Sequence, residues 1–172
     1  MRRIAIGTMA VAAVLFAAGL SAQGKPNFSG KWTLQQDPNA AAGGGGRGGG
    51  RGMGGGGFCG QECTITQDGN TLKIERAAGQ NGQAPAPVTY TLDGKEVTTQ
   101  QPGRNGGDPT NVVTKAGWDG DKITITTSRD FNGTPFKSMT TISMDGGNMV
   151  VETSSDRGQG PQPGQKQTYK KG

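Results

Sequence analysis

The sequence predicts an all-β protein, an antiparallel up-and-down meander that closes into a barrel of about 8–10 strands. Short runs rich in Thr, Val and Ile alternate with turn signals over most of the chain, and no stretch shows sustained helical periodicity. Asp-Gly pairs follow such runs at 68–69, 93–94, 119–120 and 145–146. Asp-Gly favours the type I′ turn of a β-hairpin because both residues tolerate positive φ. Four hairpins in one chain predict a meander.

The strands are predicted to have one dry face and one wet face. Ile123 and Ile125 alternate with Thr124 and Thr126, as expected of a sheet that packs on a core with one side only. Closure into a barrel would remove the exposed edges of such a sheet. The predicted strands are 27–34, 63–67, 71–76, 88–92, 95–99, 111–118, 122–129, 136–144, 148–154 and 165–171.

The first 22 residues are typical of a secretory signal peptide. Arg2 and Arg3 precede an uncharged run, Ile4 to Leu20, and Ala22 supplies the small residue before a cleavage point at Gln23. The alternative is a membrane anchor, because the uncharged run is near the shortest length that spans a bilayer. We expect cleavage, with no stable membrane span afterwards, and therefore a periplasmic or extracellular protein.

Residues 23–172 have the length of one domain. Removal of residues 1–22 lowers the net charge from +5 to +3, because the segment holds two arginines and no acid, so no polyanionic partner is indicated. Residues 43–57 include 12 glycines and predict a flexible loop. Arg47 and Arg51 within this run are too few to favour nucleic-acid binding.

The two cysteines, Cys59 and Cys63, are predicted to form a local disulfide, as an even pair does in an exported protein. Gly60 between them permits the turn that such close spacing requires. The alternatives are two free thiols, or a metal or redox role. A metal site is disfavoured because the chain has no histidine.

The absence of histidine also excludes Ser-His-Asp and Cys-His catalytic sets within this chain. The aspartates before Gly69, Gly94, Gly120 and Gly146 lie in predicted turns, where they favour the turn rather than paired-acid chemistry. We therefore expect no catalytic residues, no cofactor and no metal, and we expect that the protein is not an enzyme.

Three short motifs resemble the lipocalins and their relatives in the calycin group. Asn27-Phe28-Ser29-Gly30-Lys31-Trp32 contains the Gly-x-Trp opening. Trp118-Asp119-Gly120-Asp121-Lys122 and Tyr169-Lys170-Lys171 resemble segments of small exported bacterial proteins described as lipocalin-like. Lipocalins commonly pack a late arginine on the opening tryptophan, and this sequence offers no clear candidate for that arginine.

The resemblance implies that the protein binds or sequesters a small hydrophobic ligand and that Trp32 closes one end of the barrel. Tyr90, Trp118 and Phe136 are candidates for the wall of a ligand cavity, since a barrel of this size has room for one small ligand. The alternative is a structural or interaction module of the cell envelope, in which both tryptophans pack in a filled barrel and no small ligand binds.

Overall fold

The computed structural model describes residues 24–35, 58–79, 82–102, 108–131 and 133–172. The strands are β1 (Gly30–Leu34), β2 (Glu62–Asp68), β3 (Thr71–Arg76), β4 (Val88–Thr91), β5 (Asp93–Gln101), β6 (Thr110–Asp119), β7 (Lys122–Phe131), β8 (Thr134–Asp145), β9 (Asn148–Asp156) and β10 (Gln162–Lys171). In these ranges no helix is long and apolar enough to cross a membrane. The predicted signal peptide, 1–22, and glycine run, 43–57, lie outside them and stay predictions.

All ten strands belong to one antiparallel sheet, in the order β4-β3-β2-β1-β10-β9-β8-β7-β6-β5. The first strand pairs with the last, because Trp32 on β1 lies opposite Cys63 on β2 and opposite Lys171 on β10. The sheet is therefore a nearly closed barrel, and its seam lies between β4 and β5. The predicted all-β meander is confirmed.

Three of the four Asp-Gly pairs make the expected hairpins. They join β2 to β3, β6 to β7 and β8 to β9, and each pair of strands is in continuous antiparallel register. Gly69, Gly120 and Gly146 have φ values of 52°, 62° and 54°, in the left-handed region that glycine enters readily. Local turn chemistry therefore sets these three connections.

The hairpin predicted at Asp93-Gly94 does not form, because β4 and β5 lie at opposite edges of the sheet. Leu92 between them is 4% exposed, and its N–H donates to the carbonyl oxygen of Asn70 at 2.7 Å. Burial of Leu92 carries the chain across the seam instead of back along β4. Gly94 then takes a φ of 72°, and a register shift follows between Asp93 and Glu96.

The three Asp-Gly turns and the N-terminal segment 24–29 lie at one end of the barrel, which we call the floor. The opposite end is the mouth. Large side chains fill the interior at the floor and across the short strands β1–β3. The fully buried ones are Phe28, Trp32, Ile65, Leu72, Ile74, Ile123, Ile142, Met149, Val151 and Tyr169. The N-terminal segment is held there by Gln67, whose side-chain oxygen accepts the N–H of Phe28 at 2.9 Å.

Trp32 is the largest of these side chains and is held from two sides. Its Nε1–H donates to the carbonyl oxygen of Phe28 at 2.8 Å, and the ammonium of Lys171 lies 5.6 Å from its ring centroid. Gly30 beside this cation has a φ of 142°, which L side chains rarely adopt, and a Cβ there would lie 2.6 Å from Lys171 Cε and displace the end of that flexible side chain. The cation on the opening tryptophan is thus a lysine from the final strand.

Cys59 and Cys63 form the predicted disulfide, with their Cα atoms 5.2 Å apart. Gly60 between them has a φ of 70° and supplies the turn. Both cysteines are buried, at 0% and 2% exposure. The bridge therefore anchors the chain entering β2 to the core.

Replacing Trp32 with alanine should lower the free energy of unfolding by about 3–5 kcal/mol, because it removes a fully buried aromatic side chain and leaves a cavity. Urea denaturation followed by circular dichroism measures the loss. Trp118→Ala is the matched control and should cost less, since Trp118 is only half-buried. Equal losses for both variants would contradict the assignment of Trp32 as the main core residue.

The native protein should show no reactive thiol before reduction, because both cysteines are bridged and buried. Titration with a thiol reagent should detect none in the oxidised protein and two after reduction in denaturant. A Cys59→Ser/Cys63→Ser variant should lose about 2 kcal/mol of stability on the chain-entropy model for a small ring. Two reactive thiols in the oxidised protein would contradict the bridge.

Candidate functional site

The faces of β6, β7 and β8 can be assigned from their register. Ala116 lies opposite Ile125 and Ile123 opposite Ile142, and these residues belong to the buried core. Alternation then puts the intervening residues on the other face. We call this the outer face of the three strands, and it is where the cavities described next are found.

A cavity of about 500 Å³ lies toward the mouth. Most of its wall comes from outer-face residues of β6–β8. Phe136 and Arg129, which occupy core-face positions at the mouth, complete the wall. The lining residues are Asn111, Val113, Ser128, Arg129, Asp130, Pro135, Phe136, Lys137, Asp156 and Gly158. Apolar and charged side chains therefore share one wall.

A second cavity of about 410 Å³ lies toward the floor and is lined by Gly94, Glu96, Val113, Lys115, Gly117, Trp118, Thr124, Thr126, Ser128 and Lys137. Val113, Ser128 and Lys137 line both cavities, and they are neighbours in one cross-strand row. The two cavities are thus parts of one depression, which we call the outer groove. Each exceeds the roughly 300 Å³ at which small-molecule pockets begin.

Phe136 and Trp118, both predicted ligand residues, lie at opposite ends of the outer groove. Phe136 pairs with Arg129, which pairs with Val112, six residues before Trp118 on β6. At about 3.3 Å per residue the two ends are roughly 20 Å apart. Tyr90 lines neither cavity and packs half-buried against the core. The three residues do not meet in one pocket, and their ligand-binding role stays a prediction.

The mouth end of the groove is rich in cations around an aromatic ring. The guanidinium carbons of Arg129 and Arg157 lie 4.8 Å and 5.8 Å from the centroid of Phe136. Burial lowers the pKa of Arg129, because desolvation disfavours its charged form. Lys137 adds a third positive charge beside them.

The two acids at this end are already engaged by backbone N–H groups. Asp130 accepts the N–H of Gly133 at 2.6 Å. Asp156 accepts the N–H groups of Gly158 and Gly160 at 2.8 Å and 3.1 Å with one oxygen. These carboxylates stabilise the adjoining loops and keep their charge, so the three cations exceed the two acids at this end by one positive charge.

Trp118 borders the floor end of the groove beside two glycines, although its pairing with Ile123 puts it on the core face of β6, where it packs against the core. Its ring lies 6.2 Å from that of Phe28, and the Lys25 ammonium lies 4.9 Å from its centroid. A Cβ at Gly117 would lie 3.3 Å from the Cα of Gly94. The absence of side chains at these glycines keeps this part of the outer face concave and leaves Trp118 in the wall.

The interior of the barrel is polar toward the mouth, whereas it is apolar at the floor. Inward positions there carry half-buried hydroxyl groups, on Thr114, Thr127, Ser138, Thr140, Thr153 and Ser155. On the opposite wall the Nε of Arg76 is buried without a hydrogen-bond partner among the described residues. Burial raises the pKa of both Tyr90 and Tyr169, and the nearby positive charge of Arg76 partly opposes the shift.

The groove residues Val113, Ser128 and Lys137 were not singled out from the sequence. Strand alternation predicts that these three residues share one face of the sheet. It does not predict that this solvent-facing row is concave, because no local sequence pattern reports the curvature of the sheet. In the ranges that the structure describes, no cluster of three His, Cys, Asp or Glu side chains could hold a metal ion.

Comparison with known proteins finds similar solved structures, among them two binding or secretory proteins of low identity. The zebrafish ileal bile acid-binding protein complexed with cholic acid is 18% identical, with a TM-score of 0.49 and coverage of 84% of this chain and 98% of that one. Secretory abundant heat soluble protein 4 from Ramazzottius varieornatus is 12% identical, with a TM-score of 0.45 and coverage of 83% and 93%. No family model and no curated protein matches. These similarities do not assign the chain to a family.

The two tyrosines, Tyr90 and Tyr169, should ionise above the usual pH range in the folded protein, since burial raises the pKa of both phenols. The unfolded chain releases these protons first, so the free energy of unfolding should fall as pH rises above about 10. Ultraviolet absorbance of tyrosinate measures the titration.

Arg76→Met should raise the pKa of both tyrosines further, because it removes the positive charge that stabilises tyrosinate. Arg76→Lys should leave both pKa values nearly unchanged, because it keeps that charge. Tyrosines that titrate at the pH of a free phenol in the folded protein would contradict this arrangement.

Proposed function

We propose that the protein binds a small amphipathic molecule in the outer groove, with the apolar part of the ligand along β6–β8 and an acidic group at the mouth end. The observation that carries the proposal is the continuity of the two cavities through Val113, Ser128 and Lys137. A groove roughly 20 Å long with an aromatic residue at each end suits an extended ligand better than a compact one.

The charge distribution supports an acidic group beside Phe136. Three cations, Arg129, Arg157 and Lys137, lie at this end together with two acids, Asp130 and Asp156, which leaves an excess of one positive charge. A carboxylate or phosphate beside a partly desolvated guanidinium would favour its charged form. The apolar lining from Val113 and Pro135 would contact the remainder of the ligand.

We propose further that the protein acts outside the cytoplasm and by binding rather than by catalysis. The Cys59–Cys63 disulfide is consistent with an oxidising compartment, and the signal-peptide pattern of residues 1–22 supports the same location. The lack of histidine supports a binding role. The filled floor of the barrel supports the alternative, an envelope module without a small ligand, and the experiment below separates the two.

Titration with laurate, laurylamine and lauryl alcohol tests the proposal, with binding measured by calorimetry and by Trp118 fluorescence. Laurate should bind saturably and more tightly than the other two. Lys137→Gln should weaken laurate binding up to about fivefold, the range of an exposed ion pair. Trp118→Phe should abolish most of the fluorescence change while binding remains measurable by calorimetry.

Lys122→Gln is the matched control, because Lys122 is an exposed strand lysine that does not line the groove. It should leave laurate affinity unchanged. Absence of saturable binding by all three probes would contradict the proposed function and favour the envelope module. An equal effect of Lys137→Gln and Lys122→Gln would show that the ligand binds elsewhere.

A further inference from the structure

Strand β5 presents an open edge. It has nine residues, and among the described strands its hydrogen-bonded neighbour is β6 on one side only. Across the seam β4 has four residues and pairs with β3. Every residue from Lys95 to Gln100 is exposed, and so are the described loop residues 82–87 that precede β4. The N–H of Lys95 donates to Asp93 Oδ1 at 3.0 Å, whereas residues 96–100 have no backbone partner beyond β6 among the described residues, so their edge is available for pairing with another strand.

Val97 lies in the middle of this edge and is 52% exposed, although alternation puts it on the same side of the sheet as the core. Only one other large hydrophobic among the described residues, Met139 at 45%, is also exposed. β-Branched residues favour strand pairing, and Val97 is followed by Thr98 and Thr99. The edge therefore combines free backbone groups, strand-forming residues and a central apolar side chain.

We propose that β5 pairs antiparallel with β5 of a second copy of this chain, about a two-fold axis at Val97. This register sets Val97 against its own copy and buries the exposed apolar side chains together. It also sets Glu96 opposite Thr98 of the second copy and Lys95 opposite Thr99 of the second copy. Each charge therefore meets a neutral hydroxyl side chain.

The charges of the strand select this register over its neighbours. A two-fold axis at Glu96 or Lys95 would set a charged side chain directly against its own copy, which is destabilising. An axis at Thr98 would leave Val97 opposite a threonine of the second copy. A two-fold axis midway between two residues of β5 would set a core-side residue of one copy opposite an outer-side residue of the other. The pleat excludes this register, because directly opposite residues must point to the same side of the sheet.

The dimer joins the two outer grooves on one face. A two-fold axis perpendicular to the paired strands keeps equivalent faces on the same side, and Glu96 lines the floor cavity. Thr98 of the second copy therefore lies beside the groove wall.

The contact is closed rather than fibre-forming, because each copy contributes the same edge. A single strand pair is a small interface, so the dimer is expected to depend on concentration.

Cysteine trapping tests the register on the full chain. Val97→Cys should give a disulfide-linked dimer under mild oxidation, because directly opposite residues have Cα atoms about 4.5–5.5 Å apart, within disulfide range. Lys95→Cys is the control. Its two copies would be offset by four positions, about 13 Å, and should not link. The two native cysteines are joined to each other and do not compete.

The unmodified protein is tested in parallel by sedimentation equilibrium over a concentration series. It should show a monomer–dimer equilibrium, which Val97→Lys should weaken at least tenfold and Met139→Lys should leave unchanged. Amide hydrogen exchange at residues 95–100 should slow as concentration rises. A monomer at all concentrations, equal linking of both cysteine variants, or equal effects of the two lysine variants would overturn the proposal.

Discussion

The double pairing of β1 holds this barrel together. β1 has only five residues, yet it hydrogen-bonds β2 on one side and β10 on the other, and so joins the ends of the meander. Gly30 and Trp32 are what make this possible. Trp32 fills the core directly beneath the junction, Gly30 supplies the φ of 142° that β1 needs there, and the ammonium of Lys171 lies over the ring. Core packing, strand closure and the covering cation therefore depend on one another.

The difference in strand length has consequences for both faces of the sheet. β6–β10 have nine to twelve residues, whereas β1–β4 have four to seven. The short strands can enclose a dry core only near the floor, so the long strands carry hydroxyl side chains on their inner face toward the mouth. The concave surface with volume for a ligand lies on their outer face instead. Trp118 and Phe136 occupy core-face positions of these strands and border opposite ends of this surface rather than one internal pocket.

The seam follows from one buried residue. Leu92 is drawn into the core, and its N–H bonds to Asn70, so the chain crosses the gap in a single step instead of turning back on itself. β5 then begins at the far edge of the sheet with one side unpaired among the described strands. The same crossing leaves the barrel incomplete and Val97 exposed, so the proposed groove and the proposed dimer edge both include residues of β5.

Local chemistry in the sequence determined most of the architecture. The turns at Gly69, Gly120 and Gly146 need only neighbouring residues with tolerance for positive φ, and strand alternation needs only a side-chain period of two, so strands and three hairpins were predictable. The even pair of cysteines, with Gly60 permitting the turn between them, likewise predicted the Cys59–Cys63 bridge.

Contacts between distant residues were decided only by the tertiary structure. The choice at Asp93-Gly94 depended on whether Leu92 packs in the core, and the cation on Trp32 came from Lys171, far along the chain. The groove through Val113, Ser128 and Lys137 exists because three strands align in register and curve together. Sequence patterns report the preferences of neighbouring residues, whereas burial, curvature and cross-sheet contact arise only after the whole sheet has closed.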